Sequence, residues 1–262
     1  MRSATERRSA TAVAAPATTA SVLPHDPWRE LALVLVVTCA YFLTRGLIRG
    51  RASDALLHAR DILAIEQTLH IEPEGVLQHL ALAHPLALQA ANLFYLGGHL
   101  PVLIAVAVWL YLRHPAAYRF YRNAFAISAL LGLAIYIALP VAPPRFLPGF
   151  VDTLKSAGIG LDGSTVGLLY NPYAAMPSLH VGWALLAGMA LITSARTRWL
   201  RAAGVALPAL MTLVVLVTGN HFLLDVLAGI GIALLSLACS WWGSSNRIGR
   251  QGLAAILATL RR

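Results

Sequence analysis

Six stretches of this chain are apolar for about the distance that a helix needs to cross a bilayer, and no other feature limits the fold as severely. A hydrocarbon core of about 30 Å takes roughly 20 helical residues. The runs cover approximately residues 30–48, 86–112, 122–140, 177–194, 199–218 and 222–242. Every backbone amide in lipid needs an internal partner, and the runs lack the alternation of barrel strands, so helices are expected. Charged residues make up 12% of the chain, about half the share of a soluble domain. The predicted fold class is all-α: an integral membrane bundle of six transmembrane helices, with a partly helical interfacial segment between the first and second spans.

Residues 1–28 are rich in Ala, Thr, Ser and Arg and hold no apolar run that would form a signal-peptide core, so a mobile N-terminal tail is expected there. The membrane domain is expected over 29–242, and a basic cytoplasmic tail over 243–262. Within 49–84, Leu56, Ala59 and Leu63 stand at helical spacing, and Pro73 leads a second short piece. Pro101 in the second run is expected to tilt or kink it. The stretch 141–176 is rich in Pro and Gly, and irregular chain of that length is usually functional.

Six spans put both termini on one side, and the positive-inside rule identifies it as the cytoplasm. With that orientation, 14 of the 20 basic residues fall inside, including Arg113, Arg119, Arg122, Arg196, Arg198 and Arg201. Outside, seven loop acids (Asp54, Asp61, Glu66, Glu72, Glu74, Asp152 and Asp162) more than balance the remaining six cations. The net charge of +9 therefore reads as topology, and no nucleic-acid partner is needed to explain it. Cys39 and Cys239 lie in apolar runs and suggest no disulfide framework.

The same topology puts three chemically suggestive places at the outer face. They are Pro143-Pro144-Arg145, Pro177-Ser178-Leu179-His180, and Gly219-Asn220-His221 followed by Asp225. Pro177 suits a first helical turn, which would leave Ser178 and nearby amides at a helix N-terminus, a natural anion site. Arg145 offers planar, permanently charged donors to phosphate oxygens. His221 and Asp225 are four apart, so on a helix they would share a face, with the carboxylate orienting one imidazole nitrogen and the other free to attack. His180 would then protonate the departing oxygen. Zinc held by His180, His221 and Asp225 is a chemical alternative, but no further strong ligand stands beside them. Arg145 has an alternative use as a headgroup anchor. His70, His79 and His84 match no metal-ligand spacing, and neither metal nor cofactor is expected.

These residues resemble a known family. Asn171-Pro172-Tyr173-Ala174-Ala175-Met176-Pro177-Ser178-Leu179-His180, Thr218-Gly219-Asn220-His221-Phe222-Leu223-Leu224-Asp225 and Ala142-Pro143-Pro144-Arg145 look like the three signature regions of the type 2 phosphatidic acid phosphatase superfamily. More narrowly, they are similar to its branch related to inositol phosphorylceramide synthase. The resemblance covers roughly residues 30–240. It implies a six-helix core, a phosphohistidine intermediate on His221, His180 as general acid, Asp225 as the partner of His221, and Arg145 and Ser178 as phosphate holders. The chain departs from the wider pattern at Ala138, where a lysine is usual, and at Leu213-Val214-Val215-Leu216, where an arginine is usual. Leu179 replaces a common glycine, as the synthase-like branch permits.

Asn92, Tyr95 and His99 form a polar stripe on the second span. A headgroup pocket and a set of interhelical hydrogen bonds are both consistent with it. The expected enzyme is a metal-independent lipid phosphotransferase, inositolphosphotransferase-like, or else a lipid phosphatase with water as acceptor. Its partners would be a lipid phosphate or phospholipid substrate and the bilayer, at the cell membrane. A transporter would instead show two related halves with broken helices, and the sequence has no such repeat.

Overall fold

The structure is a computed structural model that describes residues 27–48, 50–158 and 172–260. Residues 1–26 of the expected tail, Asn171 of the second signature region and the last two residues lie outside them. Among the described residues the regular structure is helical, apart from one isolated bridge between Val141 and Ala174.

The helices are α1 (Pro27–Ile48), α2 (Ala52–Leu69), α3 (Glu74–Leu82), α4 (Pro85–Leu93), α5 (His99–Arg113), α6 (Pro115–Ala138), α7 (Thr153–Ser156), α8 (Leu179–Ser194), α9 (Arg198–Val217) and α10 (Leu223–Leu260). A π-helical turn, Phe94–Gly98, joins α4 to α5 without a break. Among the described residues, four helices are long and apolar enough to cross a membrane: Pro85–Arg113, Pro115–Ala138, Arg198–Val217 and Leu223–Gly243. α1, with 22 residues, and the 16-residue apolar α8 run where the other two spans are expected.

The shortest of these helices is the centre of the bundle. α8 is apolar on every side, which suits a helix with no lipid-facing or water-facing stripe, and it packs against α5, α6, α9 and α10. Small residues let the backbones approach closely. A Cβ on Gly188 would stand 2.2 Å from the Gly204 carbonyl oxygen of α9, and a Cβ on Gly204 would stand 2.6 Å from that of Gly188. On the opposite side, a Cβ on Gly182 would meet the Gly229 oxygen of α10 at 2.8 Å. Polar contacts add direction: Trp183 Nε1 donates to Ser128 of α6, and Ser240 of α10 donates to the Phe120 carbonyl. α1 lies along α6, where Glu30 accepts from both Arg122 and Tyr118.

Two short helices cover one end of this bundle, where the sequence predicts interfacial pieces. α2 is fastened to the end of α6 and its following loop by three contacts: Arg51 Nη1 to the Ile137 carbonyl, His58 Nδ1 with the Pro140 carbonyl, and the Ala142 amide to the Ala55 carbonyl. Gln78 of α3 makes a two-way pair with the Val151 backbone, at 3.0 and 2.9 Å. Exposed tryptophans collect at the other end: Trp28 at the start of α1, Trp199 at the start of α9, and Trp241 and Trp242 far along α10.

Candidate active site

The three signature segments meet under the cover formed by α2 and α3, where α6 and α9 end and α8 and α10 begin. Main-chain hydrogen bonds join them, so their register does not depend on flexible side chains. The Arg145 amide donates to the Gly219 carbonyl at 3.0 Å, and the Ser178 amide to the Asp225 carbonyl at 2.9 Å. The Val141 amide donates to Tyr173, and Ala175 donates back to Val141, at 3.0 and 3.1 Å. The Tyr136 hydroxyl of α6 adds a bond to the Pro177 carbonyl. Gly219 turns the chain out of α9 at φ +65°, and a Cβ there would lie 2.6 Å from Gln78 Nε2 and 3.3 Å from Arg145 Cβ. Glycine meets both demands.

His221 and Asp225 do come together, but not by sharing the face of a continuous helix. α10 begins only at Leu223, so His221 sits in the turn that leads into it. Asp225 lies in the first helical turn and reaches back, its Oδ2 accepting the Phe222 amide at 2.9 Å, as the second half of a capping box does. The same oxygen is 3.4 Å from His221 Nδ1. One carboxylate thus closes the helix start and faces the imidazole. His221 is 2% exposed and Asp225 fully buried, while His221 Nε2 has no hydrogen-bond partner among the described residues.

His180 occupies the first turn of α8, its ring centroid 5.9 Å from that of His221. Pro177 differs from expectation: it precedes the cap, and Ser178 is the N-cap, its Oγ accepting from Val181 at a long 3.5 Å. Ser178 is fully buried, its peptide pressed against α10, where a Cβ on Gly229 would come within 2.2 Å of the Ser178 oxygen.

The polar stripe divides. The Tyr95 ring lies 4.4 Å from that of His180 and 6.4 Å from that of His221, and the His99 ring is 5.5 Å from His180. Both line the site. Neither ring nitrogen of His99 has a hydrogen-bond partner among the described residues, although the side chain is buried. Asn92 is committed elsewhere: Nδ2 donates to the Thr153 carbonyl at 3.1 Å, and Oδ1 lies 2.9 Å from the Thr153 hydroxyl. That hydroxyl is also 3.0 Å from the Thr218 carbonyl, which locks α7 onto both α4 and the end of α9. The π-helical turn sits just before Pro101, which lacks the N–H that would bond the Gly97 carbonyl. Its wide bond runs from the His99 amide to the Phe94 carbonyl, and such turns are frequent at functional sites.

Arg145 is 4% exposed in a single 3₁₀ turn, Pro144–Phe146, with Nε 3.6 Å from Asp152 Oδ1. Asp152 in turn caps α7 through the Leu154 and Lys155 amides. Beside these, the structure buries residues to which the sequence alone assigns no role. Asn220 donates to the Thr218 hydroxyl at 2.6 Å, and its Oδ1 has no donor among the described residues. Glu66 and Glu74, two of the outer loop acids of the sequence, are fully buried, Glu66 against the start of α10. Among the described residues no group of three His, Cys, Asp or Glu side chains is arranged to hold a metal ion.

A comparison with protein families matches residues 60–239 to the model of the PAP2 superfamily. Neither the curated proteins nor the solved structures hold a match to the chain. The matched region contains Arg145, the Ser178–His180 turn and the His221–Asp225 pair, together with the helices that bring them together. The chain belongs to the PAP2 superfamily.

Proposed function

We propose that this protein is an integral membrane enzyme that breaks a phosphoester bond of a lipid phosphate or phospholipid headgroup through a covalent intermediate on His221. Superfamily membership suggests phosphoesterase activity. The observation that carries the mechanism is the geometry of the imidazoles: His221 Nδ1 faces the Asp225 carboxylate at 3.4 Å, its other nitrogen has no partner among the described residues, and His180 stands across a 5.9 Å ring separation. In the first step Nε2 of His221 attacks phosphorus, the bond from phosphorus to the leaving alcohol oxygen breaks, and His180 gives that oxygen a proton. In the second, His180 takes the proton of an acceptor hydroxyl, its oxygen bonds to phosphorus, and the phosphorus–nitrogen bond breaks. Asp225 orients His221 and stabilises its positive charge. Arg145 and Ser178 hold the phosphate, and no metal takes part. Tyr95 and His99 line the side of the pocket where a headgroup or acceptor enters.

The acceptor we assign is an alcohol, in keeping with the branch related to inositol phosphorylceramide synthase that the signature segments resemble, which makes the protein an inositolphosphotransferase-like enzyme. A phosphatase that uses water is the second reading, since superfamily membership fits it equally. We assign six spans over 29–242, with both termini cytoplasmic and the site at the extracytoplasmic face of the cell membrane. The arginines Arg113, Arg119, Arg198 and Arg201, which lie at the end of the bundle away from the site, favour that orientation. The test is turnover of labelled phospholipids by detergent-solubilised protein with and without inositol, and with a strong chelator. Headgroup transfer that persists in the chelator is the expected result. Release of inorganic phosphate regardless of acceptor identifies the hydrolase, and loss of activity restored by zinc contradicts the metal-free route.

A further inference from the structure

Two carboxyl groups outside the mechanism are buried directly behind it. Glu66, in the last turn of α2, and Glu74, at the start of α3, are both at 0% exposure, and their carboxyl groups are neighbours. Glu66 Oε1 accepts the Leu224 amide at 2.6 Å, in the first turn of α10. That amide is one of those a helix start leaves without an internal acceptor. A negative charge placed there is also favoured by the helix dipole. Leu224 is the residue before Asp225, and Asp225 itself accepts the Phe222 amide. Two carboxyl groups, one from α10 and one from α2, therefore hold the turn that presents His221.

The remaining three oxygens, Glu66 Oε2 and both of Glu74, receive no donor from any described residue, and among the described residues neither side chain forms an ion pair. Two neighbouring carboxyl groups taken out of water with no cation beside them cannot both be ionised, so one of the pair carries a proton. We propose that Glu66 and Glu74 share a single proton and act as one unit, in which protonated Glu74 donates to Glu66 and Glu66 is a positioning residue for His221 and Asp225.

The electrostatic surroundings select which partner holds the proton. Burial first, then the neighbouring Glu66 carboxyl, and least the Asp225 charge on α10 push the Glu74 carboxyl up to about 9. Burial also raises Glu66, but its bonds from Glu74 and from the Leu224 amide oppose that, while Asp225 and Glu72 add to it. The donor is Glu74, and the acceptor with the cap is Glu66. Loss of the proton would set two carboxylates face to face beside Asp225, loosening the cap on α10.

The functional part of this inference rests on His221 and Asp225 being the reacting pair, so the experiment has one arm that needs no turnover. The infrared spectrum of the parent minus that of Glu74→Gln should contain a carboxylic-acid carbonyl band that fades as the pH is raised through about 9. Absence of that band overturns the shared proton whatever the enzyme's activity. In the second arm, turnover of a short-chain phospholipid, read as headgroup transfer to an alcohol or as release of phosphate, is followed against pH. Glu66→Ala should lower kcat by about tenfold or more with little change in KM, Glu66→Gln should recover much of the loss because it keeps an acceptor for Leu224, and Glu74→Gln should shift the alkaline limb. Parent-like kcat in Glu66→Ala, or equal losses in Glu66→Ala and Glu66→Gln, overturns the positioning role. Activity retained in His221→Ala would defeat the mechanism while leaving the infrared result to stand or fall alone.

Discussion

The Ser178 amide donates to the Asp225 carbonyl at 2.9 Å, so the turn that carries His180 is fastened to the turn that carries His221 by backbone alone. The fastening depends on Gly229, one helical turn further along α10, because a Cβ there would stand 2.2 Å from the Ser178 oxygen and 2.9 Å from its carbonyl carbon. Backbone cannot yield to such a contact as a flexible side chain would. Gly229→Ala should therefore destabilise the bundle by about 1–3 kcal/mol and lower kcat by displacing His180. Thermal unfolding in detergent and a rate assay check this, and a parent-like melting temperature with parent-like kcat would contradict it.

Asp225 serves two purposes with one oxygen, accepting the Phe222 amide and facing His221 Nδ1. Asp225→Asn preserves the shape of the side chain but removes its charge and offers a wrong partner to the imidazole. The expected outcome is a fall in kcat of about a hundredfold or more, with KM changed much less. Steady-state kinetics distinguishes this from a loss of binding, in which KM would rise and kcat would hold.

Asn92 has both ends of its amide engaged by Thr153, and Thr153 continues the chain of contacts to the Thr218 carbonyl. Asn92→Ala leaves buried polar groups without partners and should cost about 1–3 kcal/mol. Because Asn92 bonds Thr153 and neither imidazole, the main effect should be on thermal stability. A large change in substrate specificity with unaltered stability would instead make Asn92 part of a headgroup pocket.

Stability should also depend on pH through Glu74. The folded protein keeps a proton on this carboxyl up to about pH 9, whereas an unfolded chain releases it near the ordinary value of 4.5. Folding therefore takes up a proton between those limits, and stability should fall as the pH rises through the window. Glu66, raised in the same direction, adds to the trend. Melting temperatures from about pH 5 to about pH 9 should decline in the parent and decline less in Glu74→Gln; parallel curves would refute the linkage.

Much of the architecture is legible in the sequence because lipid imposes a simple rule, long apolar helices, and the runs at 86–112, 199–218 and 222–242 end within a few residues of α5, α9 and the apolar part of α10. The meeting of the three signature segments at one end of the bundle follows from the alternating direction of those helices. Other relationships depend on local closure that spacing does not encode. His221 and Asp225 are four apart, yet the return of Asp225 from the first turn of α10 to cap the helix start, not a shared helix face, brings them together. Pro177 reads as a first-turn residue, but Ser178 holds the cap. Glu66 and Glu74 read as loop acids, and only the folding of α2 against the start of α10 and of α3 against α9 removes them from water. The Asn92, Tyr95 and His99 stripe is visible at helical spacing, but its division into one structural and two site-facing residues requires α7 to be in place.

The most direct test of the account is to trap the intermediate. Protein mixed with a phosphate-labelled lipid is quenched within a turnover, digested and sequenced by mass spectrometry. The account predicts a phosphoryl-bearing group on His221, absent in His221→Ala together with turnover. Label on another residue, or turnover that survives in His221→Ala, would contradict it.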